Sequence, residues 1–107
     1  MFKKKDNFGY KRMVEGVKSR TLVHGEKTSM HEFVLKEGHS LPTHAHPHEQ
    51  TGYLISGHMK LVVDKEEFDV TPGDSWNIAG GVEHSVELYE ESVAIEVFSP
   101  VRTEFLD

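Results

Sequence analysis

Residues 52–74 read GYLISGHMKLVVDKEEFDVTPGD, and this stretch decides the class of fold. Three short runs, 52–56, 59–64 and 68–70, are rich in β-branched and aromatic side chains and carry no 3.6-residue apolar period. Between and after them stand Ser56-Gly57 and Pro72-Gly73-Asp74, residues that suit chain reversal. Working outward, the same pattern recurs at 20–24 and 30–36, and again at 75–79, 84–89 and 93–98, with Glu37-Gly38 and Gly80-Gly81 as further turns. Eight short strands at this spacing predict an all-β sandwich or barrel, not βαβ units. A chain of 107 residues has room for one domain with one core. We expect that single domain to span 1–107, with 1–15 a flexible or interface segment.

Composition excludes several function classes. There is no cysteine, so disulfide frameworks, cysteine-based zinc sites, iron–sulfur clusters and thiol nucleophiles all fall away. The formal net charge of −6 disfavours a nucleic-acid surface, which needs a basic face to neutralise phosphates. No run approaches the ~20 apolar residues of a membrane span, and the charged start, with Lys3, Lys4 and Lys5, lacks the apolar stretch of a signal peptide. The expectation is a cytoplasmic protein with neither membrane nor nucleic acid among its partners.

Alternation along 93–98 places Val93, Ile95 and Val97 on one face and Ala94, Glu96 and Phe98 on the other. Both faces carry apolar residues, so both need cover. A small barrel has one interior, which leaves the outer face to a second copy of the chain or to the chain's own N-terminal strands. The first option predicts a homodimer.

The eight histidines are about three times the number that average usage gives for this length. Three fall within Thr43-His44-Ala45-His46-Pro47-His48-Glu49-Gln50. In an extended chain, residues two apart point the same way, so His44 and His46 can grip one metal ion. A ligand from a distant strand would complete a site that exists only in the folded chain. Gln50 keeps the same parity and offers a neutral oxygen, whereas Glu49 has the opposite parity. With no cysteine, such a site is built from N and O donors, which suit Ni, Mn, Fe, Zn, Co or Cu without choosing among them. His48 is a neighbour of this set, beside the site or at the surface. His24, His31, His39 and His58 are read as packing or surface residues, Trp76 as core or interface, and Tyr53 and Met59 as core or cavity mouth.

The wider spacing runs from Gly38 through His44, His46 and Gln50 to Gly57, then from Gly73 through Ala79 and Gly81 to His84. It resembles the two sequence motifs of the cupin family, Gly-x5-His-x-His followed by Glu or Gln and a Gly, then Gly-x5-Pro-x-Gly-x2-His. Ala79 stands where the family usually has Pro, and Leu88 where it often has Asn. The resemblance implies a cupin jelly-roll barrel and one divalent transition metal held by His44, His46, Gln50 and His84. Those four ligands are all neutral, so the ion would keep its double positive charge and favour an anionic small-molecule substrate.

The run from His44 to Tyr53, together with the closing segment 96–106, is similar to a branch of small single-domain cupins that act on unsaturated uronates in pectin breakdown. Members of that branch convert a 4,5-unsaturated galacturonate to its linear keto form. By that resemblance the catalytic residues are Glu96, Phe98 and Arg102, with Glu96 the acid/base and Arg102 holding the substrate carboxylate. The branch usually has Asp where this chain has Glu96. From the residues alone, a carboxylate on a buried face must be paired or used, and the alternatives are a structural Glu96–Arg102 ion pair or an Arg102 exposed near the terminus. Two other functions remain open: a non-catalytic ligand-binding module, and a metal-dependent dioxygenase or decarboxylase.

Overall fold

A computed structural model describes residues 1–106. Among them ten strands form: β1 (Lys11–Val14), β2 (Val17–His24), β3 (Ser29–Leu35), β4 (Ser40–His44), β5 (Glu49–Ser56), β6 (Met59–Val63), β7 (Glu66–Val70), β8 (Ser75–Ile78), β9 (His84–Leu88) and β10 (Ser92–Ser99). A single 3-10 turn, Thr103–Phe105, follows. The strands make two antiparallel sheets, six-stranded in the order β1-β2-β3-β10-β5-β8 and four-stranded in the order β4-β9-β6-β7. This is a jelly-roll barrel. No helix among the described residues is long and apolar enough to cross a membrane.

All eight anticipated runs lie within or overlap strands. The two unanticipated strands, β1 and β4, are sheet edges, paired on one side only. Strand β1 lies inside the segment expected to be flexible or interfacial, and it pairs with β2. Strand β4 carries Pro42, which an edge tolerates because a missing N–H costs nothing on the unpaired side. The β6–β7 hairpin turns on Asp64 and Lys65, both at positive φ, as a two-residue connection between right-twisted strands requires.

Strict alternation builds the core. In β10, Ser92, Ala94, Glu96 and Phe98 point inward and are buried, whereas Val93, Ile95 and Val97 are half-buried on the outer face. Facing them inside the barrel are Leu54 of β5, Met59 and Leu61 of β6, and Val86 and Leu88 of β9. The outer face is covered in part by the chain itself. Arg20 of β2 holds the N-terminal segment by hydrogen bonds to Asp6 and to the Phe8 carbonyl, and its Nε donates to Glu32 of β3. The Tyr10 hydroxyl also donates to Glu32, and the Tyr10 ring lies 4.7 Å from the Arg20 guanidinium.

The segment after β10 returns across the barrel end and is tied to β2 and β3 by a buried relay. The Arg102 N–H donates to Ser29 Oγ, and the Thr21 hydroxyl donates to the Phe105 carbonyl. His31 bridges these two hydroxyls, Nε2 to Ser29 Oγ at 2.7 Å and Nδ1 to Thr21 Oγ1 at 3.2 Å. Donor counting fits a neutral ring, with Nδ1–H donating to Thr21 and Nε2 accepting from Ser29. His31 is fully buried, edge-on to Phe98 and Phe105. Burial first, and then the Arg102 charge, push its pKa from 6.5 down to about 4.

Because the folded state binds this proton less readily than the unfolded chain, His31 stabilises the fold above pH 6.5, and that stabilisation is lost as pH falls toward 4. Over that range the loss is about 3 kcal/mol. Urea unfolding at pH 7 and pH 4.5 measures it. His31→Asn, which has no proton to gain, should lose less stability on acidification than the wild type. Equal losses would refute this account.

Candidate metal centre

Three strand ends and one loop converge at one end of the barrel. His44 closes β4 and pairs across the sheet with His84, which opens β9. His46 lies past the end of β4, in the loop before β5, so extended-strand parity ceases at His44. The loop instead bends His46 back toward the other two rings. The Gly81 N–H donates to the His46 carbonyl at 2.8 Å. A Cβ at Gly80 would stand 2.3 Å from the Pro47 carbonyl oxygen, so only glycine allows this approach. The ring centroids are 4.3 Å apart for His44–His84, 5.0 Å for His46–His84 and 5.9 Å for His44–His46. One nitrogen from each ring lies within 4.8 Å of the others.

The backbone fixes which nitrogen that is. Each Nδ1 faces a carbonyl two residues away: His44 to Pro42 at 2.8 Å, His46 to His48 at 2.9 Å, and His84 to Val82 at 2.9 Å. A carbonyl only accepts, so Nδ1 carries a proton, and in the neutral ring Nε2 is the nitrogen that presents a lone pair. Gln50, buried and inward, places Oε1 2.8 Å from His46 Nε2. In a neutral ring these are two acceptors facing each other, an arrangement that a cation between them resolves. Burial, chiefly, lowers the pKa of His46 and His84, which keeps them in the neutral form that metals take. The donor set therefore fits a divalent ion. Glu49 points outward and accepts from Asn77.

Glu96 projects from β10 into the same cavity of about 260 Å³. It is 7% exposed. Burial pushes its pKa to about 7, against the opposing pull of the Trp76 hydrogen bond and the Arg102 charge. Its carboxylate accepts from Trp76 Nε1 at 2.8 Å and from Gln50 Nε2. Arg102 takes Glu104 as its ion-pair partner, Nε to Oε2 at 3.2 Å. That corrects the alternative of a structural Glu96–Arg102 pair. The Arg102 guanidinium lies 4.8 Å from the Phe98 ring and 4.4 Å from the Phe105 ring, at the cavity wall. Phe98 is buried and edge-on to His46 at 5.8 Å. His48 stands beside the cluster, 5.6 Å from the His46 ring, with Nε2 3.9 Å from Glu104.

Two further residues shape the cavity: Phe105, which had no role in the sequence reading, and Trp76, expected in the core or at an interface. Phe105 lines the wall from the 3-10 turn. Trp76 touches Glu96 across Gly52, because all three occupy one row of the sheet. The signal for Trp76 was the pairing register, which spacing does not give.

A jelly roll with three inward imidazoles at one end of its cavity defines a small β-barrel able to hold a metal ion. The chain belongs to the cupin family: residues 31–99 match the Cupin domain. It is 27% identical over 103 residues to the pectin degradation protein KdgF of Dickeya dadantii (strain 3937), covering 94% of each chain. Its fold is similar to that of KdgF from Halomonas sp., with a TM-score of 0.88 at 23% identity over 92% of each chain. It also matches an RmlC-like cupin from Shewanella frigidimarina NCIMB 400, with a TM-score of 0.86 at 26% identity over 91% of this chain and 87% of the other.

If the three histidines are ligands, the metal-free protein gains stability on adding Ni²⁺, Zn²⁺ or Co²⁺, by about 3 kcal/mol at a hundredfold excess over Kd. The gain should vanish in His84→Ala, and elemental analysis should find metal in the wild type but not in His44→Ala. Metal retained by both variants would exclude this site.

Proposed function

We propose that the protein is a metal-dependent isomerase of small sugar acids, converting an unsaturated uronate to its open-chain keto form. The observation that carries this reading is the convergence of a three-histidine cluster, a buried carboxylate and an arginine on one end of one cavity. Similarity to a pectin degradation protein supports the substrate class, since pectin is a polymer of galacturonate.

His44, His46, His84 and Gln50 would hold the ion, which supplies a Lewis acid for a substrate oxygen. The remaining work falls to the chain's own side chains. Arg102, held between Phe98 and Phe105, receives the substrate carboxylate in bidentate fashion. The conversion neither adds nor removes atoms. The ring C1–O5 bond breaks, the C1 hydroxyl loses its proton as the aldehyde forms, and C4 gains a proton as O5 becomes a ketone. Glu96 accepts the first proton and returns one to C4. A carboxylate raised toward neutrality by burial is suited to both steps. Phe98 and Phe105 wall this end of the cavity with apolar surface, which strengthens the Arg102–carboxylate attraction.

A second copy of the chain is part of the proposal. The N-terminal segment covers only the Arg20–Glu32 end of the outer face, and Tyr53 and Ile55 beside Val93, Ile95 and Val97 stay exposed. A homodimer would bury this band.

Turnover is read by loss of the 4,5-double-bond absorbance of an unsaturated uronate with metal-loaded protein. Glu96→Ala should reduce kcat by at least 100-fold. Arg102→Ala should chiefly raise KM. No turnover by the wild type, or full activity in Glu96→Ala, would overturn the reading. Light scattering should give twice the 12.2 kDa chain mass, and Ile95→Glu should halve it. A wild-type monomer would remove the dimer.

A further inference from the structure

We propose that Glu96 is a positioning residue for the metal: held by Trp76, it fixes the Gln50 amide so that its oxygen, and not its nitrogen, faces the three histidines. This rests on the metal reading above and gives Glu96 a second task, separable from proton transfer.

The two ends of a glutamine amide have nearly the same shape, and a half-turn exchanges them. Only the oxygen has lone pairs to offer a cation. Something behind the amide must therefore choose its orientation. Trp76 Nε1 can only donate, and it donates to Glu96 Oε1 at 2.8 Å. An ionised carboxylate can only accept, so Glu96 Oε2 receives the Gln50 Nε2 proton. The amide nitrogen is thereby committed away from the histidines, and Gln50 Oε1 is left 2.8 Å from His46 Nε2. The chain has a donor at each end and an acceptor in the middle, so turning the Gln50 amide would set its oxygen against the ionised Glu96 carboxylate, acceptor against acceptor. Glu96 and Gln50 are each 7% exposed, so a mismatch there carries the full cost of an unmet buried group.

The backbone is built around this contact. Glu96 of β10, Gly52 of β5 and Trp76 of β8 are consecutive partners in one row of the six-stranded sheet. A Cβ on Gly52 would lie 2.2 Å from the Trp76 ring and 2.4 Å from Glu96 Oε1. The bare backbone at position 52 is what lets the two large side chains meet above it.

Glu96→Gln breaks the pattern with almost no change of shape. The new amide has one acceptor for two donors, so either Trp76 or Gln50 meets an N–H. Turning the Gln50 amide relieves the clash but aims its nitrogen at the metal. The exchange Gln50→Glu with Glu96→Gln restores every pairing. The carboxylate now at position 50 offers one oxygen to the metal and the other to the amide N–H at position 96, whose carbonyl accepts from Trp76.

The test is calorimetric titration of the metal-free full-length protein with Co²⁺ alone at pH 8, with the visible Co²⁺ spectrum recorded alongside. Glu96→Gln should bind roughly 10–100-fold more weakly and with an altered spectrum. The exchange variant should recover affinity to within about tenfold of the wild type. Trp76 is the only tryptophan, so its indole N–H resonance in metal-free protein reports the link directly and should move in Glu96→Gln. A role for Glu96 in proton transfer alone predicts unchanged affinity and spectrum in Glu96→Gln, and that result overturns the inference while leaving the metal reading intact. An exchange variant no tighter than Glu96→Gln, or an unmoved indole resonance, overturns it as well. A wild type that binds no Co²⁺ removes the metal reading and this inference together.

Discussion

The register of β10 between β3 and β5 is the constraint on which the site depends. Side chains on a strand alternate with a period of two, so a slip of one residue would turn Ala94, Glu96 and Phe98 out to solvent and bring Val93, Ile95 and Val97 into the barrel. The observed pairing sets Ala94 opposite Leu54, Glu96 opposite Gly52 and Phe98 opposite Gln50. Apolar neighbours on the inner face hold the register, and the polar residues ride on it. Glu96 and Gln50 are buried because Ala94, Phe98 and Leu54 are. The same holds across the barrel, where His84 shares the inward phase of Val86 and Leu88.

Charge at the site is layered. Three imidazoles and an amide form the inner ring, and the Glu96 carboxylate sits one hydrogen bond behind the amide. Arg102 occupies the wall at greater distance, between two aromatic faces. Negative charge would therefore lie close to a cation held by the histidines without being ligated to it. Such an arrangement would offset part of a cation's charge without taking a coordination position. The neutral ligand set expected from the sequence leaves out Glu96, whose carboxylate belongs to the same hydrogen-bonded group.

Much of this was legible in the sequence, for reasons that differ by residue. Short β-rich runs between turn residues marked the central strands. The missed strands, β1 and β4, are edges whose sequences, Lys11-Arg12-Met13-Val14 and Ser40-Leu41-Pro42-Thr43-His44, are polar because one side meets water. Strand parity separated Gln50 from Glu49, and the two do face opposite ways. The same rule reached His46 by a route the chain does not take, since β4 ends at His44 and a loop delivers the third ring. The links Trp76–Glu96 and Gln50–Glu96 span 20 and 46 residues and exist only through pairing register, which no local pattern encodes. Arg102 met Glu104, two residues along its own segment, in place of the more distant Glu96.

The segment after β10 supplies Arg102 and Phe105 to the cavity, yet it belongs to neither sheet and is tied down by the hydroxyls of Thr21 and Ser29 with His31 between them. The histidine cluster and the Arg102–Phe105 wall of the cavity are thus carried on separately anchored pieces of chain. On the side of the tail, the attachments to Ser29 and Thr21 are made by backbone, the N–H of residue 102 and the carbonyl of residue 105, so they do not depend on which side chains the tail carries. A cavity wall carried on such a tail can change its side chains while the strand scaffold stays fixed.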